Sequence, residues 1–148
     1  MRQAVALAVL GGRSETKIRA LGQEYHQQTL RHTVRPEAER RLAWHVDRGH
    51  TVCVVSASLD FYLEPWCKER GVGLICSRIA ARGGRLTGLY AGRDCTGTEK
   101  ARRARQLGLD HYDKIYVYGD TTEDDELLAL GHESFRCWPL VPISRIRR

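Results

Sequence analysis

Residues 114–124 read K-I-Y-V-Y-G-D-T-T-E-D. A run of β-branched and aromatic side chains breaks at Gly119 and delivers two carboxylates, Asp120 and Asp124, four residues apart. The pattern predicts a strand with Asp120 at its tip and Asp124 in the first turn of the helix that follows, so that both face one point. Hard divalent cations such as Mg²⁺ take oxygen ligands in near-octahedral geometry, usually one or two carboxylates completed by waters and substrate phosphate oxygens. Acidic residues in a first helical turn also support the positive end of the helix. On this stretch alone the metal reading and the helix-support reading stand level.

Two motifs upstream separate them. Residues 51–58, T-V-C-V-V-S-A-S, form a buried-strand pattern ending in small hydroxyl residues, and residues 97–100, G-T-E-K, place a lysine at the start of a basic helix. A hydroxyl at one strand end (Ser56), a lysine from a loop (Lys100) and a carboxylate pair at another strand end suit a ligand both anionic and metal-bound. Phosphate fits that description.

In these motifs the chain resembles the haloacid dehalogenase-like (HAD) phosphohydrolases, and within them the phosphoserine-phosphatase-like branch, subfamily IB, near its phosphatidylglycerophosphatase C-type members. The resemblance spans about residues 10–139 and rests on V-V-S-A-S, G-R-L-T-G-L-Y-A-G-R-D-C-T-G-T-E-K and Y-G-D-T-T-E-D-D-E-L-L. It implies that Ser56 and Lys100 bind phosphoryl oxygens, that Asp120 and Asp124 hold Mg²⁺, and that the substrate is a small phosphorylated molecule or a phospholipid phosphate. It implies a Rossmann-like α/β core, a mostly parallel sheet with helices on both faces, carrying a hairpin insertion and a remnant of a helical cap. Residues 1–35 then read as the cap remnant and 36–148 as the core.

One part of the family pattern is missing. The family opens on D-x-D-x-T, whose leading aspartate attacks phosphorus, yet no D-x-D precedes Ser56 and the earliest aspartate is Asp47. The resemblance puts the strand bearing that motif between those of Ser56 and Asp120. The chain reads as a family member lacking that piece, inactive alone unless an N-terminal extension or a complementing segment supplies it. Either residues 3–10 substitute as a strand, or the isolated chain is poorly stable, because unpaired backbone groups in a sheet centre are costly. The reading from a different class is a non-catalytic remnant that binds phosphate and Mg²⁺ as a sensor or interaction module.

Composition bounds these readings. The chain has 148 residues, 42% hydrophobic and 28% charged, ordinary for one globular domain. No apolar run approaches the roughly 20 residues of a membrane span, which with the lack of a signal-type core predicts a cytoplasmic protein. Five cysteines without a C-x-x-C pair argue against a disulfide framework and a zinc site. Cys53 and Cys76 read as small strand hydrophobes, Cys95 lies in the lysine loop, and no cysteine is assigned to catalysis. The six histidines lack metal-ligand spacing and read as surface or capping residues. Trp44, Trp66 and Trp138 read as packing residues.

The net charge of +6 favours anionic partners without choosing among them. The basic run 100–105 reads as a solvated helix face and 145–148 as a frayed tail, so no nucleic acid is expected. Residues 92–98 show two glycines at P-loop spacing, but Thr98 stands in the lysine position.

The predicted elements alternate. Helices are expected over 14–28 with Ser14 as N-cap, from Pro36 to Gly49 with Ala38, Leu42 and Val46 as the core stripe, over 59–70 with Pro65 in the first turns, over 99–107 and over 124–130. Strands are expected over 51–55, 74–79, 115–118 and 134–138, and Gly83-Gly84 turns a hairpin whose second arm is 85–90.

Overall fold

The computed structural model describes residues 1–136 and 141–142. The chain divides into two compact units, Met1–Asp94 and Cys95–Arg148.

The first unit opens on helix α1 (Arg2–Leu10) and helix α2 (Glu15–Tyr25), which runs on through a π-helical turn at His26–Leu30 into the short α3 (Arg31–Thr33). Residues 3–10 therefore do not substitute as a strand. Three alanines and two leucines in R-Q-A-V-A-L-A-V-L favour helix. The Gln3 side chain of α1 has a specific task. The Gln3 amide donates to the Gly88 carbonyl at 2.7 Å and accepts from the Tyr90 amide at 3.2 Å, giving one strand edge the pair of bonds that a neighbouring strand would give. Ser14 caps α2 as expected, its hydroxyl accepting from the Lys17 amide.

Helix α4 (Pro36–Asp47) begins on its proline. Its expected stripe is only partly right, because Val46 is exposed and His45 is the buried residue of the helix. Strand β1 (Cys53–Leu59) pairs in parallel with β2 (Gly73–Ser77), linked by α5 (Asp60–Glu69). Pro65 lies in the second turn of α5. Having no N–H, it cannot bond the Phe61 carbonyl four residues back. Helix α2 packs over that carbonyl through Gly22, where an added Cβ would fall 2.3 Å from the Phe61 oxygen. The hairpin of β3 (Ile79–Arg82) and β4 (Arg85–Tyr90) turns at Gly83 and Gly84, at φ 56° and 72°, the pair of left-handed residues that a two-residue hairpin needs. Ala6, Phe61, Ile79 and Leu86 form the core of this unit, with Leu10, Ile18, Leu59 and Tyr90 packed against it.

The second unit holds α6 (Thr98–Arg105), β5 (Tyr116–Gly119), a 3₁₀ turn (Thr122–Asp124), α7 (Asp125–Leu128), β6 (Glu133–Arg136) and β7 (Val141–Pro142). Strand β5 pairs with β6 in parallel, and β6 with β7 in antiparallel. The end of the strand expected over 134–138, with Trp138, lies outside the described residues, as do Cys137 and the basic stretch 145–148. Parallel pairs joined through helices make this an α/β fold of the Rossmann-like kind.

Candidate functional site

In the second unit the two motifs that suggest phosphate chemistry meet. Strand β5 runs Y-V-Y-G, and the Tyr118 ring stacks on Phe135 of β6 with centroids 5.0 Å apart. Its end is set by Gly119. The chain folds back so tightly that an added Cβ there would lie 2.6 Å from the Asp124 Cβ, so only glycine lets Asp124 tuck under the strand end.

Asp124 is buried, at 7% exposure, and its carboxylate is saturated. One oxygen accepts from the Lys100 ammonium at 2.6 Å. The other accepts from the amides of Asp120 at 3.2 Å and Thr121 at 3.3 Å and from the Thr121 hydroxyl at 3.2 Å. Thr121 and Asp124 thereby form a reciprocal capping box over the 3₁₀ turn. Burial pushes the Asp124 pKa up, but Lys100 and the backbone donors outweigh it and hold the carboxyl below the usual aspartate range.

Asp120, at the strand tip, is exposed. The expected pair is thus asymmetric, Asp120 being exposed and Asp124 buried against a lysine. Among the described residues no group of three or more histidine, cysteine, aspartate or glutamate side chains is placed to hold a metal ion. A Mg²⁺ ion needs no such group, because it keeps waters and shares substrate oxygens. An exposed Asp120 beside the buried Asp124 carboxylate is a set of oxygen donors compatible with such an ion.

Lys100 is also buried, at 7% exposure. The left-handed Gly97, at φ 47°, caps α6 and starts the turn that carries the lysine. The basic run is therefore not simply a solvated face. Its first lysine is internal, and Arg102 and Arg103 both fold onto Glu99, Arg102 through two nitrogens, each bond at 2.7 Å. These guanidinium bonds hold the Glu99 carboxyl down to about 2. Glu99 escaped the sequence reading, although its i+3 and i+4 arginines are the signal that marks it.

Ser56 belongs to the first unit. It lies within β1, not at its end, and the register with β2 slips between Ser56 and Leu59. At that irregularity its hydroxyl oxygen accepts from the Ser58 amide at 3.1 Å, which leaves its proton to donate. The structure brings Lys100, Asp120 and Asp124 together, whereas Ser56 is positioned by a separate unit.

Near the C-terminal ends of β1 and β2 stands a group that the sequence did not signal. The Ser77 hydroxyl, fully buried, donates to Asp94, and Asp94 accepts from Arg2 at 2.7 Å. Arg2 also donates to the Ala57 carbonyl. Cys95 is fully buried, which removes it from thiolate chemistry in the lysine loop, and burial pushes the Cys67 thiol up to about 12. Two histidines expected as surface or capping residues are internal. His26 bonds Glu69 at 2.8 Å, and His45 pairs with His50 through their Nδ1 atoms at 2.8 Å.

Comparison with known proteins agrees with these motifs. The family model of haloacid dehalogenase-like hydrolases matches residues 1–129. Protein CicA of Caulobacter vibrioides is 31% identical over 88 residues, which cover 58% of this chain and 40% of CicA. A crystal structure of a protein of unknown function from Bordetella pertussis superposes with a TM-score of 0.77 at 25% identity, over 86% of this chain and 60% of that one. A probable phosphoserine phosphatase from Vibrio cholerae superposes with a TM-score of 0.64 at 19% identity, over 86% of this chain and 38% of that one, a likeness of fold. The chain spans less than two thirds of the length of each of these relatives. No described helix is long and apolar enough to cross a membrane. With a family match over most of its length, the chain belongs to the haloacid dehalogenase-like hydrolases.

Proposed function

We propose that this chain carries the phosphate- and Mg²⁺-binding part of a phosphomonoesterase site of the subfamily IB kind, acting on a small phosphorylated substrate or a phospholipid phosphate. The observation that carries the reading is the buried Lys100–Asp124 pair at 2.6 Å beside the exposed Asp120. A buried ion pair is a poor device for stability alone, since desolvation offsets much of its attraction. Placed at a strand end beside an open carboxylate, it has a use.

Lys100 presents a compact positive charge with three donors, one of them engaged by Asp124, and the others suit phosphoryl oxygens. Asp124 orients that lysine through their 2.6 Å contact. Ser56 donates its hydroxyl proton to a phosphoryl oxygen. Asp120 is the direct metal ligand, and Mg²⁺ bound there would offset the charge of the incoming phosphate. The attacking aspartate of the family pattern has no counterpart before Ser56. We therefore assign these residues to binding phosphate and metal, and the attack on phosphorus to none of them. The same lack favours the second reading, a phosphate-binding sensor without turnover.

Both readings share one test. Mg²⁺ titrated into the ¹⁵N-labelled chain, with and without inorganic phosphate, is expected to shift the amides of residues 119–124, and Asp120→Asn to abolish the shift. Hydrolysis of an aryl phosphate, measured in parallel, separates them. Turnover lost in Asp120→Asn makes the chain an enzyme as it stands, whereas metal binding without turnover leaves a binding module. No Mg²⁺-dependent shift overturns both.

A further inference from the structure

Strand β1 carries a two-residue irregularity next to Ser56. Its register with β2 sets Ser56 against Cys76 and Leu59 against Ser77, so Ala57 and Ser58 stand opposite no residue of β2. Extra residues of this kind interrupt the ladder, bend the strand and re-aim a side chain, and they are frequent beside active sites. Their backbone groups still need partners. Here side chains supply them. The Ser58 amide donates to the Ser56 hydroxyl oxygen at 3.1 Å, and the Ala57 carbonyl accepts from Arg2 of α1.

Arg2 is half-exposed, yet its guanidinium bridges two fixed acceptors. Nη2 donates to Ala57 and Nε donates to Asp94 at 2.7 Å. The other oxygen of Asp94 accepts from the Ser77 hydroxyl, which is fully buried. Ser77 is the β2 residue opposite Leu59, where the register resumes. A path of side chains from Ala57 through Arg2 and Asp94 to Ser77 thus links β1 and β2 across the gap in their ladder. Arginine suits the path because its nitrogens form one planar fork, so the bond made by Nε orients Nη2. Both arginine bonds are charge-assisted, and such bonds are about twice as strong as neutral ones.

We propose that Arg2 and Asp94 are positioning residues that hold the Ala57–Ser58 bulge and so fix the direction of the Ser56 hydroxyl. The Ser58 amide engages the Ser56 oxygen, and the shape of the bulge decides where the remaining hydroxyl hydrogen can reach. Neither Arg2 nor Asp94 is assigned a contact with phosphate. Their use for binding rests on the reading of Ser56 as a donor to a phosphoryl oxygen.

Amide hydrogen exchange in the ¹⁵N-labelled 148-residue chain tests the brace. In Arg2→Ala the Ser58 amide is expected to exchange about tenfold faster or more, as for the loss of one hydrogen bond to a charged group, while the protected amides of residues 53–55 stay as they are. Arg2→Lys, which keeps the charge and the stem but not the fork, should fall between the parent and Arg2→Ala. An unchanged Ser58 amide in both variants overturns the proposal. So does a loss of protection shared equally by residues 53–55 and Ser58, since the pair would then support the strand as a whole. Inorganic phosphate titrated in the presence of Mg²⁺ separates the brace from the role of Ser56. Where Ser56→Ala weakens phosphate binding, Arg2→Ala should weaken it too, and binding kept in Arg2→Ala overturns the positioning role. Phosphate binding unchanged in Ser56→Ala defeats the assignment of Ser56, and the exchange of the Ser58 amide alone then decides whether Arg2 holds the bulge.

Discussion

Two buried aspartates, one in each unit, are treated oppositely by their surroundings. Asp124 is held by four donors, and three of them come from Asp120 and Thr121, within four residues of itself. Asp60 is held by the distant Arg19 and Arg78, and one of its oxygens is left without a protein partner. The three buried side-chain atoms without a hydrogen-bond partner among the described residues, His26 Nδ1, Trp66 Nε1 and Asp60 Oδ1, all fall in the first unit, where helices α2 and α5 and the π turn pack. Short-range turn chemistry can saturate a carboxylate completely, because i+3 and i+4 geometry places donors automatically. A helix-packing seam interrupted by Pro65 and a π turn has no such guarantee.

The largest test of that contrast is to remove the single long-range donor to Asp124. Lys100→Ala leaves a buried carboxylate without its countercharge and is expected to cost about 3–5 kcal/mol in urea unfolding, the range for breaking a buried pair. A loss below 1 kcal/mol would mean that the local donors alone carry Asp124. Asp124→Asn, which keeps the shape, should cost less, and its acid limb should change. Because the folded pKa of Asp124 is depressed, its contribution is present above the ordinary aspartate pKa and is lost as pH falls below about 4.

Next in size is the pH dependence of the first unit, where a different group dominates. Burial, then Arg41, His50 and Arg48, bring the His45 pKa down to about 4. The fold prefers its neutral form, so the unfolded chain binds the extra proton between about pH 6.5 and 4, and stability falls with pH across that window. The expected loss is up to about 3 kcal/mol. Thermal melts from pH 7.5 to 4.5 should show it, and His45→Gln should flatten the curve there while leaving the limb below pH 4 in place. Smaller still is Gly22→Ala, whose methyl meets the Phe61 carbonyl at 2.3 Å, for an expected 1–3 kcal/mol of overpacking. Gly71, also in the first unit, is the control, since an added Cβ there meets nothing within 4 Å. With φ at 65°, Gly71→Ala should cost only about 1 kcal/mol of left-handed strain.

The same contrast explains what could be read from the chain beforehand. The hairpin at Gly83-Gly84, the cap at Ser14 and the strand-to-carboxylate turn at Asp120 were legible because each is written within a few residues. The asymmetry of the carboxylate pair was not, since it depends on Lys100, twenty-four residues away. A substitute strand over residues 3–10 was one of the two alternatives offered for the missing strand, and local helix propensity prevailed over it. The burial of His26 and His45, read as surface or capping residues, was not legible because a lone histidine carries no sequence sign of burial.

The smallest effect bears most directly on whether local chemistry secures Asp124. Thr121→Ala removes one of the four donors and half of the capping box while leaving both backbone amides and Lys100 in place. Loss of a capping hydroxyl is worth about 1 kcal/mol, and Thr121→Ser, which keeps the hydroxyl, should stay within about 0.5 kcal/mol of the parent in urea unfolding. The informative measurement is the pair of variants on the Lys100→Ala background. If the local donors compensate for a missing lysine, Thr121→Ala should cost clearly more there than in the parent, since the carboxylate then leans on fewer bonds. Equal costs in the two backgrounds would show that Lys100 and the turn act on Asp124 independently, and the lysine is then held in place for its charge at the strand end, not for the turn.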